Sequence, residues 1–206
     1  SSAVSKAAST YDFTVKQAMS TPQFWLLWFM LFLNVSAGIM IISQASPMAQ
    51  QLLGLTPVAA ASIVGAISIF NGLGRIFWAA VSDYIGRARV YFLLYLIQAA
   101  VFFAMPHLHT AVLFTSAVAL VGLCYGGGFG TMPSFTADFF GAKYMGGIYG
   151  WILLAWGAGA IPSPLLIARV RQTTGSYQPA LLVIAIVMVC SLVLPLMAKR
   201  PKHESG

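Results

Sequence analysis

Six apolar stretches, each near the length that crosses a bilayer, constrain this chain more than any other feature. A hydrocarbon core about 30 Å thick needs about 20 apolar residues at 1.5 Å rise. The stretches run Gln23 to Ile42, Val58 to Val81, Val90 to Met105, Ala111 to Met132, Gly146 to Ala168 and Pro179 to Ala198. Composition agrees: 59% of the 206 residues are hydrophobic and 7% are charged, where soluble chains carry about 25% charged residues. The expected fold is an all-α membrane protein of six transmembrane helices. Residues 1–21 read as a cytoplasmic linker and juxtamembrane segment, 22–198 as the bundle and 199–206 as a cytoplasmic tail. The chain opens on Ser1 without an initiator Met or a cleavable signal peptide and reads as a processed or excised piece. Tyr11 to Met19 suits a short interfacial helix, and Thr21-Pro22 starts the first span, since Pro is tolerated in the first helical turn.

The basic residues set orientation. A net charge of +7 suits nucleic-acid binding only where the bases form a patch, and here they sit at the ends of apolar runs, as membrane anchors do. One side collects Lys6, Lys16, Arg87, Arg89, Lys143, Lys199, Arg200 and Lys202; the other has Arg169 and Arg171. The excess places both termini in the cytoplasm. Arg169 and Arg171 form the one dissenting loop. Cys124 and Cys190 lie inside apolar runs and read as buried, inert thiols.

The third and sixth stretches contain no Gly and suit lipid-facing staves, with Tyr91, Tyr95, Gln98 and Ser191 as polar exceptions. The other four carry Gly with Ser, Asn or polar-tipped aromatics, which suit close packing and cavity lining. Every third helix is bland, which points to a three-plus-three internal repeat, a transporter architecture.

Arg75 lies inside the second apolar stretch, where a charge costs about 2.5–3.5 kcal/mol on insertion scales. It needs a partner, an aqueous cavity or a route to the interface. Ser68, Asn71 and Arg75 are spaced i, i+3, i+7 and share a helix face. A guanidinium there can grip a carboxylate through two parallel hydrogen bonds; snorkelling to the cytoplasmic end, about six residues or ~9 Å away, is the alternative. Tyr149, Leu153 and Trp156 share a face of the fifth stretch and either wall a solute pocket or simply pack. Asn34 is a cavity-lining amide or an interhelical hydrogen bond. Asp83, Gly86, Arg87 and Arg89 form a tight cytoplasmic turn. Tyr125-Gly126-Gly127-Gly128-Phe129-Gly130 lacks the strand and the Lys-Ser/Thr of a phosphate loop and reads as close helix packing or a kink; Pro133, Pro162 and Pro164 break or kink their helices. His107 and His109 are too few for a metal set. No constellation supports catalysis, and neither metal nor cofactor is expected.

Gly74-Arg75 followed by Ser82-Asp83-Tyr84-Ile85-Gly86-Arg87 resembles the cytoplasmic-loop signature of the major facilitator superfamily in its second-half copy, with Tyr84 where a basic residue is usual. Tyr11-Asp12-Phe13-Thr14, Pro22-Gln23-Phe24-Trp25, Gly127 to Phe135 and Asp138-Phe139-Phe140-Gly141 narrow the likeness to its oxalate/formate antiporter family, which includes pyruvate and monocarboxylate transporters. The resemblance implies the carboxyl-terminal six-helix half of a twelve-helix fold, partnered by an amino-terminal half within the inner membrane. It also implies alternating access, with Arg75 as the family's substrate-binding arginine. Oxalate-specific members add a lysine in the eleventh helix, where Leu154 to Ala160 has none here. One cation favours a monocarboxylate over a dicarboxylate.

The function expected is therefore secondary active transport of a small organic carboxylate such as pyruvate, formate or oxalate. Arg75, Asn71, Asn34, Trp156 and Tyr149 would form the substrate site, and Asp83, Gly86 and Arg87 the gating loop. The alternatives are a facilitator for a neutral or drug-like solute with Arg75 structural, and a non-transporting membrane scaffold or sensor.

Overall fold

Thr-Pro pairs and glycines punctuate the helices. The computed structural model describes residues 12–201; Lys6, Tyr11, Lys202 and the outer parts of the linker and tail lie outside the described residues. After a short α1 (Val15–Met19), the first and second spans are α2 (Pro22–Leu53) and α3 (Pro57–Ile85). Each starts with Pro in its first turn and a threonine cap: Thr21 Oγ1 accepts from Phe24 N–H and Thr56 Oγ1 from Ala59 N–H. Such caps satisfy amide groups that a helix start leaves bare. Gly54 ends α2 in the left-handed region at φ 64°, a conformation that glycine adopts without a Cβ penalty.

The third span is α4 (Arg87–Ala104) with a 3₁₀ turn (Met105–His107), and the fourth is α5 (Ala111–Phe140). The fifth is segmented into α6 (Met145–Ile152), α7 (Leu154–Ala160) and α8 (Pro162–Thr174), and the sixth into α9 (Gln178–Ser191) and α10 (Val193–Met197). Among the described residues six helical stretches are thus long and apolar enough to cross a membrane. Residues 43–53, beyond the first apolar stretch, extend α2 through Pro47, and residues 133–140, beyond the fourth, extend α5 through Pro133. Proline inside a membrane helix is tolerated where neighbouring helices re-satisfy the freed backbone, so α5 continues without a break at Pro133. The break comes at Ile161, before Pro162 and Pro164, where two prolines close together each remove a backbone donor.

The tightest contact in the bundle joins α3 and α5. Gly122, Gly126 and Gly130, four residues apart on α5, lie against the backbone of Ile67, Asn71 and Arg75, also four apart on α3. A Cβ at Gly126 or Gly130 would collide with the carbonyl oxygen of Asn71 or Arg75. Gly74 returns the arrangement against the Leu123 carbonyl. Lipid tails are as apolar as the side chains, so helices associate in a membrane by close packing rather than by hydrophobic burial. The glycine run expected to pack helices closely does so here.

Helix pairing carries the internal repeat. The second span packs on the fourth, the first on the fifth, the third on the sixth and the first on the fourth. Exchanging spans one to three with four to six maps this pattern onto itself. Because consecutive spans alternate in direction, the first and fourth run oppositely, as an inverted three-plus-three repeat requires.

Burial separates the spans by role. Over their most apolar windows the first and fourth are each 56% buried, against 22% for the second and fifth. The third span differs from a simple lipid-facing stave. Its polar residues point inward: Tyr91 donates to Gly128 O at 2.8 Å and Tyr95 to Met30 O at 2.7 Å, with both rings fully buried, while Leu96 and Phe103 face outward. Hydroxyls at the core of a bundle need partners, and carbonyls of α2 and α5 supply them.

The amino-terminal segment straps the end of α5. Phe13 N–H donates to Phe140 O at 2.9 Å, and Asp12 Oδ1 accepts from Lys143 N–H at 3.2 Å. The interfacial helix α1 is shorter than Tyr11 to Met19 would allow, because Thr14 caps it through a reciprocal pair with Gln17.

Candidate substrate site

Arg75 sits on the exposed side of α3, ten residues before Ile85. That places it ~15 Å along the helix from its end, deeper than the ~9 Å read from the apolar run, because α3 continues through Ser82 to Ile85. Its backbone is fixed by the contact of Gly130 with the Arg75 carbonyl. Its guanidinium carbon lies 5.1 Å from the centroid of the Phe129 ring, within cation–π range. Among the described residues no carboxylate forms an ion pair with it; both ion pairs there belong to Arg87.

Around this cation the fourth and fifth spans assemble aromatics. Phe129 meets Tyr125 edge-on at 5.2 Å and Trp156 edge-on at 6.2 Å. Two residues singled out in the sequence, Arg75 on α3 and Trp156 on α7, thus meet the same Phe129 ring, and Tyr149 lies half-buried on α6 of the same span as Trp156. Trp156 is half exposed. The arrangement offers a planar cation with no acid beside it among the described residues and an aromatic wall, the chemistry that orients a small carboxylate.

Asn71 and Asn34 both turn their side chains to the glycine run of α5. Asn71 is half-buried against α5, its Oδ1 next to Gly126 and without a hydrogen-bond partner. Asn34 is fully buried between α2 and α5, where its Nδ2 donates to Cys124 O at 3.4 Å and its Oδ1 has no partner. Ser68, which shares the Arg75 face, turns its hydroxyl back to Val64 O at 3.0 Å. Phe129 and Tyr125 were not singled out from sequence; their i, i+4 spacing within the glycine run was the available signal.

The Asp83–Arg87 turn closes the same helix. Gly86 adopts φ 93° and ψ 149°, outside the reach of most L residues, so that α4 begins directly after α3. Arg87 Nη1 meets Asp83 Oδ1 at 2.5 Å, its Nε meets Asp138 Oδ2 at 3.2 Å, and it also donates to Ser82 Oγ. Arg87 is therefore the clasp between the α3–α4 turn and the end of α5. In the sequence Asp138 belongs to a motif and carries no role, since nothing in spacing pairs it with a base 51 residues away. Tyr84 is 90% exposed and takes no part.

An inverted-repeat bundle of six membrane-spanning helices with a cation on its open side is the architecture of one half of a secondary transporter. Comparison with known proteins agrees. The sequence profile of the Major Facilitator Superfamily matches residues 2–164. The chain is 36% identical over 154 residues, 73% of its length, to the uncharacterized MFS-type transporter YhjX of Escherichia coli, covering 38% of that protein. It is 30% identical over 185 residues to the oxalate:formate antiporter of Oxalobacter formigenes, covering 89% of this chain and 44% of the antiporter. Apicoplast pyruvate carrier 1 of Toxoplasma gondii is 30% identical over 174 residues, 79% of this chain and 31% of the carrier. The chain belongs to the Major Facilitator Superfamily, as a multi-pass membrane protein with one half of that fold. It spans less than half the length of these relatives.

Proposed function

We propose that this chain is the carboxyl-terminal half of a carrier that moves a small organic monocarboxylate across the inner membrane by alternating access. Arg75 is the carboxylate-binding cation, Trp156 and Tyr149 shape the pocket with Phe129 and Tyr125, and Asn71 and Asn34 hold the α2–α3–α5 core that positions them. One observation carries the reading: an arginine deep in a membrane helix, on an open face, with an aromatic beneath it and no acid paired to it among the described residues. A cation so placed calls for an anion from outside this bundle. The naming of one relative for oxalate and formate, and of another for pyruvate, supports the anion class. A lone cation favours a single carboxylate, with pyruvate or formate ahead of oxalate.

In this reading an amino-terminal six-helix half covers the open sides of α3 and the fifth span. Asp83, Gly86 and Arg87 latch the inward-facing gate through Asp138, and both termini lie in the cytoplasm. The test is uptake of labelled pyruvate, formate and oxalate by the full-length protein in proteoliposomes, with an uncharged sugar as control. Saturable uptake of one acid, competed by the unlabelled acid, is expected. Uptake of the neutral solute alone would favour a facilitator in which Arg75 is structural, and uptake of nothing would favour a scaffold.

A further inference from the structure

The fifth span begins at the same end of the bundle as the Arg87 clasp, and little fixes it there. Lipid tails accept apolar side chains as readily as a bundle does, so the buried Ile148 and Ile152 hold α6 in place only weakly. Gly146 and Gly150 bring no side chain, and a Cβ at either would meet nothing within 4 Å. At the far end of α6, Trp156 N–H bonds Leu153 O at 2.9 Å. That spacing of three residues tightens the chain to the 3₁₀ type where α7 begins, and such a turn within a helix often marks a hinge. Tyr149 lies four residues before Leu153.

The amino-terminal strap reaches this loosely held segment. A Cβ at Gly147 would lie 3.0 Å from Val15 Cγ2, so α1 and α6 meet closely at a glycine. Ahead of Val15, the Phe13 ring is 7% exposed and meets Phe140 edge-on at 5.7 Å. The exposed Asp12 carboxylate accepts from the main chain of Lys143, in the α5–α6 loop. Behind Val15, Ala18 is fully buried, Thr21 Oγ1 donates to Ala18 O at 2.7 Å and Trp25 Nε1 donates to Met19 O at 3.1 Å. One end of the strap is thus tied to α2 and the other to the α5–α6 loop. The loop-side tie includes the exposed Asp12 contact, and exposed contacts open in local fluctuations that leave buried ones intact. The strap can therefore leave α6 without leaving α2.

We propose that residues 12–19 are a releasable latch on α6. Docked, the strap holds α6 against the end of α5 and keeps Tyr149 in place beside the site. Released, it lets α6 swing about Leu153, which carries Tyr149 aside and opens the site toward this end of the bundle. The strap acts on the fifth span, whereas the Arg87 clasp joins the α3–α4 turn to α5, so the two hold different helices. The transport consequence rests on the carrier reading, while docking and hinge motion do not.

The experiment uses full-length protein in a Cys-free background carrying Val15→Cys and Gly147→Cys, a pair whose positions approach closely enough for a disulfide. Mild oxidation should consume both thiols in the pair and in neither single variant. The disulfide should slow hydrogen exchange of the 145–152 amides about tenfold, as expected when a local opening is blocked. In proteoliposomes it should abolish uptake of the transported acid, and reduction should restore both exchange and uptake. Asp12→Ala, which removes the acceptor for Lys143 N–H, should speed exchange of the same amides without lowering the temperature of global unfolding. Failure of the disulfide to form, exchange that the disulfide leaves unchanged, or uptake that persists with the disulfide in place would each overturn the proposal. A reduced protein that takes up none of the acids would count against the carrier reading, and the exchange measurement would still decide whether the strap latches α6.

Discussion

Arg75 is placed by its backbone. Gly130 leaves no room between α5 and the Arg75 carbonyl, so the guanidinium starts from a fixed origin and reaches Phe129 at 5.1 Å. Replacing it with Lys keeps the charge but loses the planar fork. We expect Arg75→Lys to raise the KM for the carboxylate about tenfold, the equivalent of one charge-assisted hydrogen bond, with kcat changed less. Equal kinetics for the two side chains would mean that only charge matters there. A second prediction concerns stability alone. Tyr95 donates from a fully buried ring to Met30 O at 2.7 Å, and Tyr95→Phe leaves that carbonyl without its donor. Destabilisation of about 0.5–1.5 kcal/mol is expected in reversible unfolding in mixed micelles, without loss of transport. What was legible at this scale follows the chemistry of each residue. A charge in an apolar run announces itself, so Arg75 stands out as a candidate, and helical spacing puts Tyr149 and Trp156 on one face. Phe129 is one apolar residue among many, and Asp138 declares its role only when folding brings it to Arg87. Asn34 had two readings, and only the neighbouring helix distinguishes the hydrogen bond to Cys124 from a cavity position.

Helices, rather than side chains, register the site. The α3–α5 contact stacks three carbonyls of one helix against three glycines of the other, so sliding by one residue would place side chains where no Cβ fits. Gly126→Val should destabilise the protein by about 1–3 kcal/mol or more through overpacking and should disturb Arg75 from a distance. Thermal unfolding and carboxylate uptake should fall together; unchanged unfolding would show that the helices do not meet so closely. Element existence was easily read, because twenty apolar residues in a row have few other fates. Element ends were not. Helix α2 runs on past the hydrocarbon-length segment to Leu53 through Ser, Gln and Pro, where hydropathy carries no signal and the neighbouring helices supply the support. The fifth span was legible as one run, yet its division at Leu153 and Ile161 depends on backbone bonds that sequence shows only at the prolines.

For the whole molecule, the pairing of spans makes the three-plus-three repeat concrete, and the two least-buried spans, the second and fifth, occupy equivalent places in it. The cation and the aromatics belong to those spans and to the fourth, which joins them. Orientation is testable independently of transport. In a Cys-free background, Ala142→Cys should react with a membrane-impermeant thiol reagent only from the cytoplasmic side and His109→Cys only from the opposite side; the reverse pattern would invert the topology. The central claim is that Arg75 binds the substrate carboxylate. The most direct measurement compares uptake of the transported acid by wild type and Arg75→Ala at equal protein density in proteoliposomes. Loss of saturable uptake in Arg75→Ala, with thermal unfolding unchanged, is the predicted result. Saturable uptake that survives the substitution with an unaltered KM would contradict the account and leave Arg75 a structural cation resting on Phe129.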